Sequence, residues 1–231
     1  EPTSNGIGGD AFAIVSVGNK LYGLNSSGPA PMAISIEQLR KRGYTEIPKY
    51  GFAPVTVPGA PAAWAALSKR FGRLSLKEVL APAINYAEEG YPVSVIMGKN
   101  WAKAFDTYKE CLKGDEFKYW FKTFAPLGRA PRIGEIVTLS DHARTLTLIA
   151  ETYAEAFYRG EIAERIDAFS RKYDGYIRKE DLENYEVEWV EPIYAKYRDY
   201  EVNELPPNGQ GIVALMALNI LKGFEFKEKD T

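Results

Sequence analysis

The stretch Asn5-Gly6-Ile7-Gly8-Gly9-Asp10-Ala11-Phe12-Ala13-Ile14-Val15 constrains the fold more than any other. Three glycines run straight into apolar and β-branched residues, so a loop that allows close backbone approach enters a strand. The run 11–17 reads as a buried strand. Gly18-Asn19 is a turn signal, and residues 21–24 form the second strand of a hairpin. That strand leads into Asn25-Ser26-Ser27-Gly28-Pro29-Ala30-Pro31. A glycine-rich loop, a hairpin and a polar Ser/Gly/Pro loop thus follow one another, and loops held by a rigid sheet are where binding residues concentrate.

Three readings of the first loop stay open. Gly6-x-Gly8-x-x-Ala11 has the loose form of a dinucleotide fingerprint, but that motif needs a strand before it and a helix after it. Here a strand follows, so nucleotide binding is disfavoured. The second reading is a tight strand-entry turn. The third is a loop packed beside an active site, which would bring Gly8, Gly9 and Asp10 to it.

Composition narrows the function classes. With 231 residues the chain can bury one sizeable core, and its net charge of -2 gives no general attraction to nucleic acid or anionic membrane. A single cysteine, Cys111, allows no internal disulfide and reads as filler. With one histidine, His142, a zinc site of the Cys/His kind is nearly excluded. Neither a metal nor a cofactor is expected. No apolar run has the length of a membrane-spanning helix. The chain starts at Glu1-Pro2 and stops in Lys227-Glu228-Lys229-Asp230-Thr231, just after a helical pattern. Both ends read as cut, as in a piece of a longer product whose targeting segment would be lost. The compartment is not fixed by the sequence, with the cytoplasm slightly favoured.

Further along, Ser35-Ile36-Glu37-Gln38 is a capping-box pattern opening a short helix to Arg42. Residues 52–57 read as extended, then a helix runs 62–71. Ser75-Leu76-Lys77-Glu78 is a second capping box, starting a helix to about Gly90 that Pro82 should kink or break. Residues 93–112 read as helix and 113–136 as an irregular aromatic arm. That arm suggests packed aromatics in preference to a single-stranded nucleic-acid site. Ser140 should cap a helix to Tyr153. Ser140-Asp141-His142 are triad-type residues, but three consecutive residues at a helix start cannot face one another, so His142 reads as a surface histidine. Helices at 161–173 and 179–182 and strands at 185–190 and 200–205 follow. The last helix, 212–221, is apolar nearly all round and should be buried. Strands at both ends of the chain with helices between imply a mixed α/β (α+β) fold whose sheet joins distant segments.

Several motifs in order resemble the large subunit of γ-glutamyltransferases and their acylase relatives. They are Glu1-Pro2 with Gly6-Ile7-Gly8-Gly9-Asp10-Ala11-Phe12, then Ser27-Gly28-Pro29-Ala30-Pro31 and Val57-Pro58-Gly59-Ala60-Pro61-Ala62-Ala63-Trp64. Leu76-Lys77-Glu78-Val79-Leu80-Ala81-Pro82-Ala83 and Glu89-Gly90-Tyr91-Pro92-Val93 follow. Thr152-Tyr153-Ala154-Glu155-Ala156-Phe157-Tyr158-Arg159-Gly160 and Ile177-Arg178-Lys179-Glu180-Asp181-Leu182 come next. Tyr194-Ala195-Lys196-Tyr197-Arg198 and Leu205-Pro206-Pro207-Asn208-Gly209-Gln210-Gly211 complete the series.

The resemblance implies an N-terminal-nucleophile hydrolase with an αββα sandwich. Residues 1–231 would form a single domain, most of the large subunit. The precursor would cut itself, and the new N-terminal threonine of the small subunit would attack a γ-glutamyl amide or related acyl group, its own amine acting as base. The implied partners are that small subunit and a small-molecule amide or γ-glutamyl substrate, with no nucleic acid and no membrane. Two departures bear on function. The Thr-Thr-His-type start of the small subunit is not present, and Thr231 lacks its context, so no catalytic residue is assigned in this chain. In γ-glutamyltransferases an arginine just before the Ala-Pro or Gly-Pro step grips the substrate α-carboxylate. The matching position here is Asn25, which lacks the charged fork of arginine. Asn25 and, more weakly, Ser26 are candidate substrate contacts, with Gly8, Gly9 and Asp10 as the active-site loop. Asn25 as a plain strand-end turn residue remains the alternative. Glutathione-like donors come into question, a β-lactam (cephalosporin) acylase-like activity is the rival enzyme reading, and a non-catalytic relative that kept the fold is the third.

Overall fold

The computed structural model describes residues 6–225. The motif Glu1-Pro2 and Thr231 therefore lie outside the described residues. The chain builds a three-stranded antiparallel sheet from β1 (Ala11–Val17), β2 (Lys20–Ser26) and β5 (Glu188–Val190), with β2 in the centre. Gly18, at φ +59°, takes the first position of the two-residue turn, a place glycine fills without strain. The register pairs Ala11 with Ser26 and Val17 with Lys20 on one side of β2. On the other side it pairs Gly23 with Val190 and Asn25 with Glu188. Leu24, in the middle strand, is fully buried. The sheet thus joins residues more than 160 positions apart, as the strand placement at both chain ends implied.

Two short antiparallel pairs accompany it: β3 (Tyr91–Pro92) with β4 (Ile136–Val137), and β6 (Ile193–Tyr197) with β7 (Tyr200–Glu204). The helices are α1 (Ile36–Lys41), α2 (Ala60–Phe71), α3 (Leu76–Glu89), α4 (Val95–Cys111), α5 (Lys118–Phe124), α6 (Ser140–Thr152), α7 (Glu155–Tyr158), α8 (Glu161–Lys172), α9 (Lys179–Glu183) and α10 (Gly211–Leu221). Val57, Leu76, Ile149, Phe157, Tyr158, Leu182 and Tyr185 form the main core, drawn from helices and loops between Val57 and Tyr185.

Several expectations are corrected. The β1 strand is not buried on both faces: Ala11, Ala13 and Val15 turn inward, while Phe12, Ile14 and Val17 are exposed. Helix α3 runs through Pro82 without a break. Proline removes only its own N–H bond, and the reciprocal Ser75/Glu78 capping box and the packing of α3 along α6 hold the rest. Residues 52–57 make turns and coil where a strand was expected. Residues 113–136 are not irregular throughout, because α5 forms inside them. Its aromatics meet those of α4, with Tyr108 and Trp120 rings 4.8 Å apart and Phe105 and Phe121 rings 6.1 Å apart. Ser140 is the first residue of α6 and caps nothing. Leu139 precedes it, and its N–H is fixed on the carbonyl of Ala87 at 2.7 Å, so packing sets that helix start. His142 is half-buried, its ring 5.6 Å from that of Phe124, and burial lowers its pKa. The strand expected over 185–190 is confined to β5, and β6 was not anticipated. In α10 only Leu215 is buried; Val213, Met216 and Ile220 are exposed. No helix among the described residues is long and apolar enough to cross a membrane.

Candidate functional site

Three loops interlock at the end of the main sheet. The carbonyl of Gly9 accepts N–H groups from Gly59 (3.0 Å) and Ala60 (2.9 Å), tying the first glycine loop to the start of α2. The N–H of Val57 donates to the carbonyl of Pro29 at 3.0 Å, tying the segment before α2 to the loop after β2. A Cβ on Gly28 would lie 1.6 Å from the Val57 carbonyl oxygen, and one on Gly59 would lie 1.9 Å from that of Ser26. These two glycines are therefore required by close backbone contact.

Two buried tyrosines pin this junction. The Tyr158 hydroxyl donates to the Pro58 carbonyl (2.7 Å) and accepts from the Ala62 N–H (3.1 Å). Its ring stacks on Tyr185 at 5.4 Å. Ser26 is fully buried, and its hydroxyl donates to the Gly59 carbonyl at 2.8 Å. It also shares a 2.9 Å hydrogen bond with the Tyr185 hydroxyl, which donates to the Ser27 carbonyl at 3.4 Å. Burial pushes both phenols above their ordinary pKa, which keeps them neutral donors.

Beside this junction opens a cavity of about 330 Å³, walled by Asn25, Ser27, Met32, Asp181, Tyr185 and Glu188 among others. Asn25 accepts the N–H (3.0 Å) and the hydroxyl (2.8 Å) of Ser27, so it forms the side-chain turn that asparagine favours at strand ends. It also faces the cavity. Its amide N–H donates to the side-chain oxygen of Asn208 at 3.1 Å, and the Asn208 amide donates to Ser27 at 3.0 Å. Asn25, Ser27 and Asn208 thereby close a ring of hydrogen bonds that joins the loop after β2 to the one before α10.

The sequence candidates fall in different places. Asn25 lines the cavity. Ser26 points into the core, one layer behind it. Asp10 accepts the Gly28 N–H at 3.3 Å and so braces the same loop from outside, while Gly9 bonds α2. Gly8 lines a second cavity, of about 560 Å³, walled by Trp64, Trp120, Phe124 and His142. That second space is larger and lined mainly by apolar side chains, with His142 among them, whereas the first gathers several convergent polar side chains around Asn25. Tyr185, Asp181, Glu188 and Asn208 were not singled out from sequence. Asn208 stood in the quoted Pro-Pro-Asn-Gly motif, where the signal was available. Among the described residues no group of three or more His, Cys, Asp or Glu is placed to hold a metal ion.

The family model described as Gamma-glutamyltranspeptidase matches residues 1–231. The glutathione hydrolase-like YwrD proenzyme of Bacillus subtilis (strain 168) is 34% identical over 232 residues, 98% of this chain and 42% of its own length. The crystal structure of cephalosporin acylase from Bacillus halodurans is 58% identical with a TM-score of 0.98, covering 100% of this chain and 43% of the other. The Helicobacter pylori gamma-glutamyltranspeptidase structure is 28% identical with a TM-score of 0.86, covering 97% of this chain and 64% of the other. The chain spans about two-fifths of the length of the YwrD relative.

Proposed function

The chain belongs to the gamma-glutamyltranspeptidase family, and on that premise we propose that it is most of the large-subunit part, as one domain, of a self-processing amide hydrolase or acyltransferase. The observation that carries this reading is the match to the family over residues 1–231 together with the polar cavity at Asn25. The nucleophile would be the N-terminal threonine of a small subunit released from the same precursor. A threonine hydroxyl is weakly nucleophilic until a base lies beside it, and a free α-amine with a pKa of about 8 serves as that base near neutrality. The hydroxyl oxygen attacks the donor carbonyl, its proton passes to the amine, and the leaving amine takes that proton as the acyl-enzyme forms. Water or an acceptor amine then releases the acyl group.

The residues of this chain would hold the donor. Asn25 contacts its acyl end, and the Ser26–Tyr185 pair keeps the Asn25 loop in place from within the core. Gly9 and Asp10 brace that loop from the other side, and Gly8 extends the same segment. The exposed apolar side chains of β1 (Phe12, Ile14) and α10 (Val213, Met216, Ile220) are where the small subunit would pack. Burying such residues between two segments is favourable at about 25 cal/mol per Å².

Asn25 decides between a glutathione-like donor and an acylase-like one. The identity to the cephalosporin acylase structure favours the latter. Processed protein from the complete precursor should cleave an acyl amide that lacks the α-carboxylate faster than a γ-glutamyl anilide in a side-by-side rate assay. A γ-glutamyl preference of tenfold or more sinks the acylase-like reading. Asn25→Arg should raise γ-glutamyl turnover by about tenfold, the order of one charge-assisted pair. An unchanged rate in a folded variant removes Asn25 as the specificity position.

A further inference from the structure

The wall of the 330 Å³ cavity carries three carboxylates, Asp181, Glu186 and Glu188, and no lysine or arginine. Glu188 stands directly opposite Asn25 in the β2–β5 ladder. Cross-strand partners leave the same face of a sheet, about 5 Å apart at Cβ, so the two side chains border the same space. Asp181 is buried, and its oxygens accept backbone N–H groups from Met32 (2.9 Å) and Arg178 (2.8 Å), which bring no counter-charge. Glu186 and Glu188 have no hydrogen bond or ion pair through their carboxylates among the described residues. Asn25 is thus neutral, and its neighbour across the ladder, Glu188, carries a carboxylate.

Resting on the reading that this cavity takes the acyl donor, we propose that Glu188 is a specificity-determining residue and that the preferred donor carries an ammonium group without a carboxylate, as an ω-aminoacyl amide does. A carboxylate entering beside Asn25 meets the exposed Glu188 with no lysine or arginine among the described lining residues to offset it, and like charges at such range repel, most at low ionic strength. An ammonium offers three donors and a positive charge to the same acceptors. A γ-glutamyl group carries both charges. Removing its carboxylate gives 4-aminobutyryl, removing its ammonium gives glutaryl, and removing both gives butyryl, so four anilides separate the two terms.

The test is kcat/KM for these four anilides with processed protein from the complete precursor, wild type and Glu188→Gln. The 4-aminobutyryl donor should exceed the glutaryl donor by about tenfold, with butyryl between them. The gap should shrink at 1 M salt, and Glu188→Gln should close most of it. A glutaryl preference, or a ratio that Glu188→Gln leaves unchanged, overturns this proposal and leaves the amide-hydrolase reading standing. Cleavage of none of the four by protein carrying an N-terminal threonine overturns both. A glutaryl preference and an aminoacyl preference are opposite results of one assay, so the charge of the cavity is decided directly.

Discussion

Gly28→Ala in the complete precursor lowers folding stability by 3 kcal/mol or more, on the order of the largest single-residue effects. The added Cβ would sit 1.6 Å from the carbonyl oxygen of Val57 and 2.5 Å from its carbonyl carbon. Both are backbone atoms, so no side-chain rotation relieves the overlap. Val57 is fully buried, and its N–H is bonded to Pro29, one residue from the substituted position. Pushing it away would strain the Gly59 and Ala60 bonds to Gly9 and displace the loop that carries Asn25. Denaturant unfolding checks the size of the loss. Gly8→Ala is the control, because an added Cβ there meets nothing within 4 Å, and its cost should stay below about 1 kcal/mol. Equal midpoints for Gly28→Ala and wild type would refute the interlocked loops.

Trp101→Ala should cost about 4 kcal/mol, the range for deleting a buried indole. Trp101 is fully buried, packs edge-on against Phe124 at 6.2 Å, and donates its ring N–H to the Phe124 carbonyl at 2.9 Å. The substitution leaves a cavity and strips that carbonyl of its donor. Trp101→Phe, which keeps most of the volume, should cost roughly 2 kcal/mol. Thermal unfolding of the two variants separates the packing loss from the hydrogen-bond loss. If both unfold like wild type, α4 and α5 do not pack as described.

The hairpin of β1 and β2 was legible because its signals are local: a β-branched run, Gly18-Asn19, and a second apolar run. The helices at 60–71 and 76–89 were legible for the same reason, through their spacing and the Ser75/Glu78 box. Helix α5 was hidden because Phe117, Trp120, Phe121 and Phe124 have helical spacing but sit among Pro126, Gly128 and Pro131, which break the pattern beyond it. Burial was harder to read than element type. The outward face of β1 and most of α10 are apolar yet exposed, since burial depends on what covers a face and not on the face itself. The candidate cavity draws Asn25 from β2, Asp181 from α9 and Glu188 from β5, the last two more than 150 positions from the first. No local pattern announces such a meeting. Asn25 was reached only through the family resemblance, and Tyr185 and Glu188 only through the folded chain. Ser26, next to Asn25 in sequence, turns to the opposite side because successive strand residues alternate.

The measurement that tests the central claim most directly is the intact mass and N-terminal sequence of the purified product of the complete reading frame. The account predicts two fragments, the smaller beginning with threonine. A single uncut chain that cleaves no donor amide would contradict it and make a non-catalytic relative with the same fold the better description.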